Sequence, residues 1–288
     1  MRSRLRRKFA ESVHADELGQ FYNTFDIIGD IAIIKLPHDS RINAEEIANQ
    51  IMAIHRNVKS VFVQTSPVLS DFRVRKLRLV SGEDKTSTRY RESGCVFAVD
   101  VAKCYFSPRL SYERSRIASL VEPRETIVNM FAGVGCFGIR IAKTANQTKV
   151  FSIDINPIAV QYLEENVRIN KLYNRVIPIL GDAKNVVRAR FQGLADRVLM
   201  PLPEKALEYL PYALLALKKH CGWIHYYGFQ HAEGSENPVE KTKLEVAEKL
   251  DTMGAGYAFS FSRIVRSTGP NWYQTALDIQ VLSPPSKF

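Results

Sequence analysis

From about Arg116 onward the chain alternates short apolar runs with amphipathic segments, and this alternation limits the possible folds more than any other feature. Candidate strands at Thr126–Phe131, Lys149–Ile153, Val176–Leu180, Arg197–Leu199 and Trp223–Tyr227 are interleaved with candidate helices at Gly138–Lys143, Ala159–Asn170 and Ala206–Lys218. A helix between strands returns the chain so that the strands run parallel, and both sheet faces are then covered. The tail breaks the rhythm. "AFSFSRIV" and "WYQTALDIQVL" are two strands joined by a Ser-Thr-Gly-Pro-Asn turn with no helix between them. The expected fold class is α/β: a doubly wound sheet that ends in an antiparallel hairpin.

The preceding part reads differently. "FDIIGDIAIIKL", Phe25 to Leu36, has β-branched residues on both sides of a Gly-Asp turn signal, a strand pair or one bent strand. Ala44 to His55 reads as a helix, with Ile47, Ile51 and Ile54 near a 3.6 period. "SVFVQT", "FRVRKLRLV" and "CVFAVDVAKCYF" are further strand candidates. The expected organisation is a basic arm over residues 1–19, a small α+β domain over 20–104 and the parallel-sheet domain over 105–288. Lys plus Arg number 40 against 30 Asp plus Glu, a formal charge of +10, which favours a polyanionic partner such as nucleic acid. Four scattered cysteines with no C-x-x-C pair and no clustered histidines suggest neither a metal site nor a disulfide framework, and a reduced cytoplasmic setting is expected. The longest strongly apolar run, Tyr209 to Leu217, is too short to span a membrane.

The first parallel strand runs into "VNMFAGVGCFG", the glycine pattern Gly133-x-Gly135-x-x-Gly138, which serves a dinucleotide, a methyl donor or an ordinary turn. Ligands of doubly wound sheets settle at the carboxyl ends of the strands. The second strand ends in Asp154, placed to accept from both ribose hydroxyls of an adenosine, with Ile155 and Asn156 beside it; the third runs into Asp182 and Ala183, a second carboxylate facing the adenine amino group. S-adenosylmethionine has no pyrophosphate to cradle, so Phe131 and Phe137 can crowd the loop where a dinucleotide would demand open backbone amides. These features and the terminal hairpin point to S-adenosylmethionine and a class I, Rossmann-like methyltransferase sheet. Asn129 stands where an acid is common.

The segments "FRVRKL", "CYFSPRLSYERSRI", "NMFAGVG", "DINPIAVQYLEENVRIN", "DRVLMPLPEKA" and "IHYYGF" together resemble the archaeal and eukaryotic tRNA guanine-37 N1-methyltransferase family. The resemblance runs from about Phe25 to the last strand. It implies a methyltransferase acting on guanine next to the anticodon, with the anticodon stem-loop of tRNA as partner, in a form without the extra N-terminal domain that grips the tRNA corner; no membrane is implied, and a monomer is expected. Guanine N1 carries a proton at neutral pH, so a base must remove it while a cation steadies the charge that builds on O6. The resemblance implies Glu113 as base, Arg73 as the cation at O6, Tyr105 as a further active-site residue and Arg114 bridging donor and substrate. Arg109 would hold a phosphate or brace the loop.

Where many members of that family have Asn-Leu-Pro or Asn-Pro-Pro, this chain has Pro201-Leu202-Pro203, with Pro201 beside the donor and Pro203 beside the substrate. Proline offers no donor to a purine edge. Two further activities therefore stand beside guanine methylation: methylation of a tricyclic wyosine precursor, or transfer of the donor's aminocarboxypropyl arm to it. A noncatalytic tRNA-binding module is the alternative from another class.

Overall fold

The computed structural model describes residues 25–36, 43–67, 72–218 and 222–283. The arginine-rich arm lies outside the described residues, as does Cys221. The chain divides into two compact units after Leu110.

In the first unit β1 (Phe25–Ile28) and β2 (Ile31–Ile34) form an antiparallel hairpin around Gly29-Asp30. Gly29 is required there. Its φ is +60°, and a Cβ would sit 2.1 Å from the Thr88 hydroxyl. Helix α1 (Ala44–Ile54) is capped by the Asn43 side chain, which accepts from the Glu45 amide, and buries Ile47, Ala48 and Ile51. These pack against Ala32, Ile34, Val61 and Val63. Strand β3 (Ser60–Gln64) runs parallel to β2 and antiparallel to β4 (Leu77–Gly82), so the sheet order is β1-β2-β3-β4. A second hairpin joins β5 (Ser87–Glu92) to β6 (Cys95–Asp100).

The strand expected across "FRVRKLRLV" begins only at Leu77. Arg73 has φ +54°, outside the extended region, and turns the chain before the strand can start. Strand β5, "STRYRE", lies outside the strand candidates of the sequence; it is too polar to give an apolar signal and is held by pairing with β6.

The second unit is a seven-stranded sheet flanked by helices. It begins with helix α2 (Ser111–Leu120), followed by β7 (Thr126–Asn129), α3 (Cys136–Thr144), β8 (Lys149–Asp154), α4 (Pro157–Ile169) and β9 (Val176–Leu180). Then come α5 (Ala183–Val186), β10 (Arg197–Met200), α6 (Ala206–Ala216), β11 (Gly222–His231), α7 (Pro238–Met253), β12 (Gly256–Gly269) and β13 (Trp272–Ser283). The order is β12-β13-β11-β10-β7-β8-β9. Pairs among β7 to β11 are parallel, and β13 lies antiparallel between β11 and β12. This is the doubly wound sheet with a terminal antiparallel hairpin. Val128, Ile153, Val198, Leu210, Ile224 and Leu277 lie in its core.

Helix α7 leaves only a weak signal in the sequence. Its apolar stripe of Val239, Val246, Leu250 and Met253 is thinly spread among charged residues, with Thr242 buried on the same side. Among the described residues no helix is long and apolar enough to cross a membrane.

Candidate active site

The strand order reverses at β7, where β8 lies on one side and β10 on the other. The loop after β7 is shaped by its glycines: Gly133 has φ +54°, and Gly135, φ +94°, begins α3. A Cβ on Gly135 would meet Leu163 Cδ1 at 2.2 Å, and one on Gly138 would meet Ser152 Oγ at 2.8 Å. The first two glycines thus turn the chain and the third lets α3 approach β8. The buried Asn166 of α4 donates to the Val134 carbonyl at 3.0 Å and steadies the loop from below.

Asp154 is tied to this loop. Its Oδ2 accepts from the Gly133 amide at 2.6 Å, and its Oδ1 from the Asn156 amide at 2.9 Å. Burial pushes the Asp154 carboxyl above its ordinary value, against the opposing pull of these backbone donors. Ile155 and Leu180, at the ends of adjacent strands, stand 42% and 56% exposed, an apolar surface that a planar base can cover. Asp182 caps α5 through the Lys184 amide and also accepts from the Tyr209 hydroxyl at 2.9 Å. Tyr209 packs edge-on against Phe131. Asn156 spends its side-chain oxygen capping α4, and Ala183 is buried. Phe137 is turned into the core against Tyr227 and does not crowd the loop. Asn129 is fully buried, and its Nδ2 makes no hydrogen bond, a vacant donor at the end of β7. A bent glycine loop, a prepositioned carboxylate, an apolar shelf and a vacant donor suit the ribose, base and amino-acid end of S-adenosylmethionine.

Glu113 and Arg114 are 1% and 3% exposed, so neither side chain belongs to a solvated helix face. Glu113 Oε2 accepts from Arg116 Nε and from the Tyr227 hydroxyl, both at 3.0 Å. Glu113 Oε1 is buried without a hydrogen bond, and the Arg263 guanidinium lies 3.5 Å away. Arg116 also holds Asp278, through Nη1 to Oδ2 at 2.5 Å and Nη2 to Oδ1 at 3.2 Å. Asp278 Oδ1 is 2.6 Å from His225 Nδ1, and His225 Nε2 is 2.7 Å from Arg197 Nη1. Arginine only donates, so Nε2 is the acceptor and Nδ1 carries the hydrogen. Burial likewise keeps the imidazole below its usual pKa, hence neutral. Burial works against an ionised Asp278, but hydrogen bonds from His225 and Arg116 hold its carboxyl low. Tyr227 is pushed well above the usual phenol range by burial and by Glu113, so it is the donor in that pair.

Arg116, Tyr227, Arg197, His225, Asp278 and Arg263 are absent from the residues singled out above for the site. Arg116 carried a signal, three residues after Glu113 on one helix face. His225 and Asp278 carried another: polar residues within strands that otherwise read as apolar.

The remaining candidates belong to the first unit or to the β10 turn. The Arg73 guanidinium lies 4.2 Å over the Tyr105 ring. Arg109 Nε donates to Asp26 Oδ1 at 2.6 Å, which ties the end of this unit back to β1. Pro201, Leu202 and Pro203 follow β10 as a turn in which the Leu202 carbonyl accepts from the Lys205 amide.

Comparison with known proteins identifies the family. The chain is 40% identical over 282 residues to the tRNA (guanine(37)-N(1))-methyltransferase Trm5b of Pyrococcus abyssi, covering 97% of this chain and 82% of that protein. It is 36% identical over 261 residues to the tRNA 4-demethylwyosine(37)-methyltransferase Taw21 of Saccharolobus solfataricus, covering 90% and 94%. A solved complex of aTrm5 with tRNALeu superposes with a TM-score of 0.81 at 34% identity, covering 96% of this chain and 78% of that one. The TYW2 N-terminal domain model matches residues 5–86, and the TRM5/TYW2 methyltransferase domain model matches residues 88–253. The chain belongs to the TRM5/TYW2 family of S-adenosylmethionine-dependent methyltransferases.

Proposed function

We infer that this enzyme methylates N1 of guanine 37 in tRNA, binding the anticodon stem-loop as a monomer. The observation that carries the reading is the uneven Glu113 carboxylate: one oxygen holds two donors, and the other is buried without a hydrogen bond. Such an oxygen keeps its lone pairs available to accept a proton. Bound S-adenosylmethionine supplies an electrophilic methyl group. Glu113 is placed to take the N1 proton, which would leave an electron pair on N1 free to accept the methyl group as its bond to sulfur breaks and the donor leaves as the neutral thioether. Arg73, braced on the Tyr105 ring, is assigned the charge on O6. Arg114, buried on α2, orients donor against substrate. Asp154, Gly133, Gly135, Phe131, Ile155, Asp182 and Ala183 form the donor side. Pro201 and Pro203 bound the β10 side. Asn156 supports Asp154 by shaping the turn, and Arg109 serves as a brace for β1.

Glu113→Gln keeps the shape and removes the base, so the single-turnover rate should fall by about 100-fold or more while donor binding persists. A parent-like rate across pH 6 to 9 would assign the proton to another group.

The Pro201-Leu202-Pro203 turn favours one second reading, methylation of a tricyclic guanine derivative, because it offers no side-chain amide to fix an unmodified purine edge. Taw21, which matches this chain over 94% of its own length, carries that activity in its name. Mass spectrometry of nucleosides from tRNA bearing guanine 37 and from tRNA bearing the tricyclic base, each incubated with enzyme and donor, separates the two.

A further inference from the structure

Glu113 is one end of a largely buried series of polar and charged groups that leaves α2 and returns to it at the Leu120 carbonyl. Arg197 pairs with Glu125 through two hydrogen bonds of 2.9 Å and donates to the carbonyl of Leu120, the last residue of α2. From Arg197 the series passes through His225 and Asp278 to Arg116, and so returns to α2 beside Glu113. Arg197, His225 and Asp278 sit on β10, β11 and β13, three adjacent strands. With His225 neutral, the cations Arg197, Arg116 and Arg263 balance the anions Glu125, Asp278 and Glu113.

We propose that Arg116 is a positioning residue that selects Glu113 Oε1 as the proton-accepting atom, and that His225 and Asp278 hold Arg116 in the orientation this requires. The proposal rests on the reading of Glu113 as the base. Three N–H groups of one planar guanidinium are committed, one to Glu113 and two to Asp278, so the plane of Arg116 is fixed by its partners. Glu113 Oε2 then receives both Arg116 and Tyr227, and its two lone pairs are filled. Only Oε1 can take a proton. On transfer the N1–H bond breaks and an Oε1–H bond forms; the electron pair stays on N1, and Glu113 becomes neutral. Oε2 keeps its two donors throughout, so the carboxyl group does not rotate. Arg263, on β12 with a third of its side chain exposed and its guanidinium over the Tyr112 ring, is the cation that faces Oε1.

The test uses the full enzyme, saturating S-adenosylmethionine and a saturating tRNA transcript with guanine 37, in single-turnover mode. Arg116→Lys keeps the charge but loses the planar fork that bonds Glu113 and both oxygens of Asp278 together, and Asp278→Asn keeps an acceptor for His225 while removing the charge and the Oδ2 acceptor that hold Arg116. Each should slow methyl transfer by about 10- to 100-fold, the cost expected of a misplaced reacting group, with donor and tRNA dissociation constants unchanged. In a Glu113→Gln background neither should slow the reaction further, because groups that act through one residue are not additive. Parent-like rates for both variants beside a slow Glu113→Gln overturn the proposal. So does an equal fold-loss in the Glu113→Gln background, which marks a general effect on the fold. Should Asp278→Asn lose donor binding, Arg116→Lys decides alone. If Glu113→Gln is itself parent-like, the base assignment falls instead.

Discussion

At the scale of single residues, one Asp154 carboxylate pins the glycine loop through the Gly133 amide and, in the proposed donor site, also presents lone pairs for a ribose. Only the ionised form does both. Burial raises its pKa, so ionisation is disfavoured in the donor-free protein, and the stability it contributes is present at low pH and lost as pH rises through the raised value. Donor affinity runs the other way, retained above that raised pKa and lost below it, with the loss starting above the ordinary carboxylate range. Calorimetry of S-adenosylmethionine binding from pH 4.5 to 7.5 should show this slope, with proton release on binding inside the window. Asp154→Ala should weaken binding by about 2 kcal/mol or more, since hydrogen bonds to charged groups are the stronger kind. Unchanged affinity would remove Asp154 from the donor site.

Among elements, the junction of β7 and α3 is the most demanding. Gly135 has φ +94°, and a Cβ there would meet Leu163, whereas Gly94, in the turn between β5 and β6, has φ +75° and open space around it. Alanine at Gly94 should cost about 1–2 kcal/mol from the backbone alone. Alanine at Gly135 should add about 1–3 kcal/mol of overpacking against the buried Leu163 and should weaken donor binding as well. Urea unfolding of both variants gives the comparison; equal losses would mean that Leu163 moves aside freely. The glycine pattern was legible from residue types, but the separate duties of its members were not, because they depend on which atoms of α4 and β8 lie opposite.

For the whole molecule, the +10 charge is the property that concerns a polyanionic substrate. If several phosphates are neutralised on binding, tRNA affinity should fall by about 100-fold or more between about 50 and 200 mM salt. Arg2, Arg4, Arg6, Arg7 and Lys8, outside the described residues, are expected to supply part of that slope. Deleting residues 1–8 should make it shallower by a few units at most, and saturating tRNA should restore the parent single-turnover rate. The same affinity and slope after deletion would make the arm a solvated tail.

The sequence by itself determined the alternation of strands and helices, the turn at Gly29-Asp30, the bent loop around Gly133 and Gly135, and the acids at the ends of β8 and β9. These are local matters of residue size, β-branching, backbone freedom and period, each settled within a few positions. The surroundings of Glu113 were decided only by the tertiary structure. Its contacts and those behind them join residues 114, 162, 53, 28 and 72 positions apart. They meet because β13 inserts between β11 and β12, and local propensity does not encode which strand takes that place. The polar signals at His225 and Asp278 acquire a meaning only once that insertion sets them side by side. A charged residue on an apolar strand is then no flaw in the pattern, because its partner arrives from the far end of the chain to keep it from being buried alone.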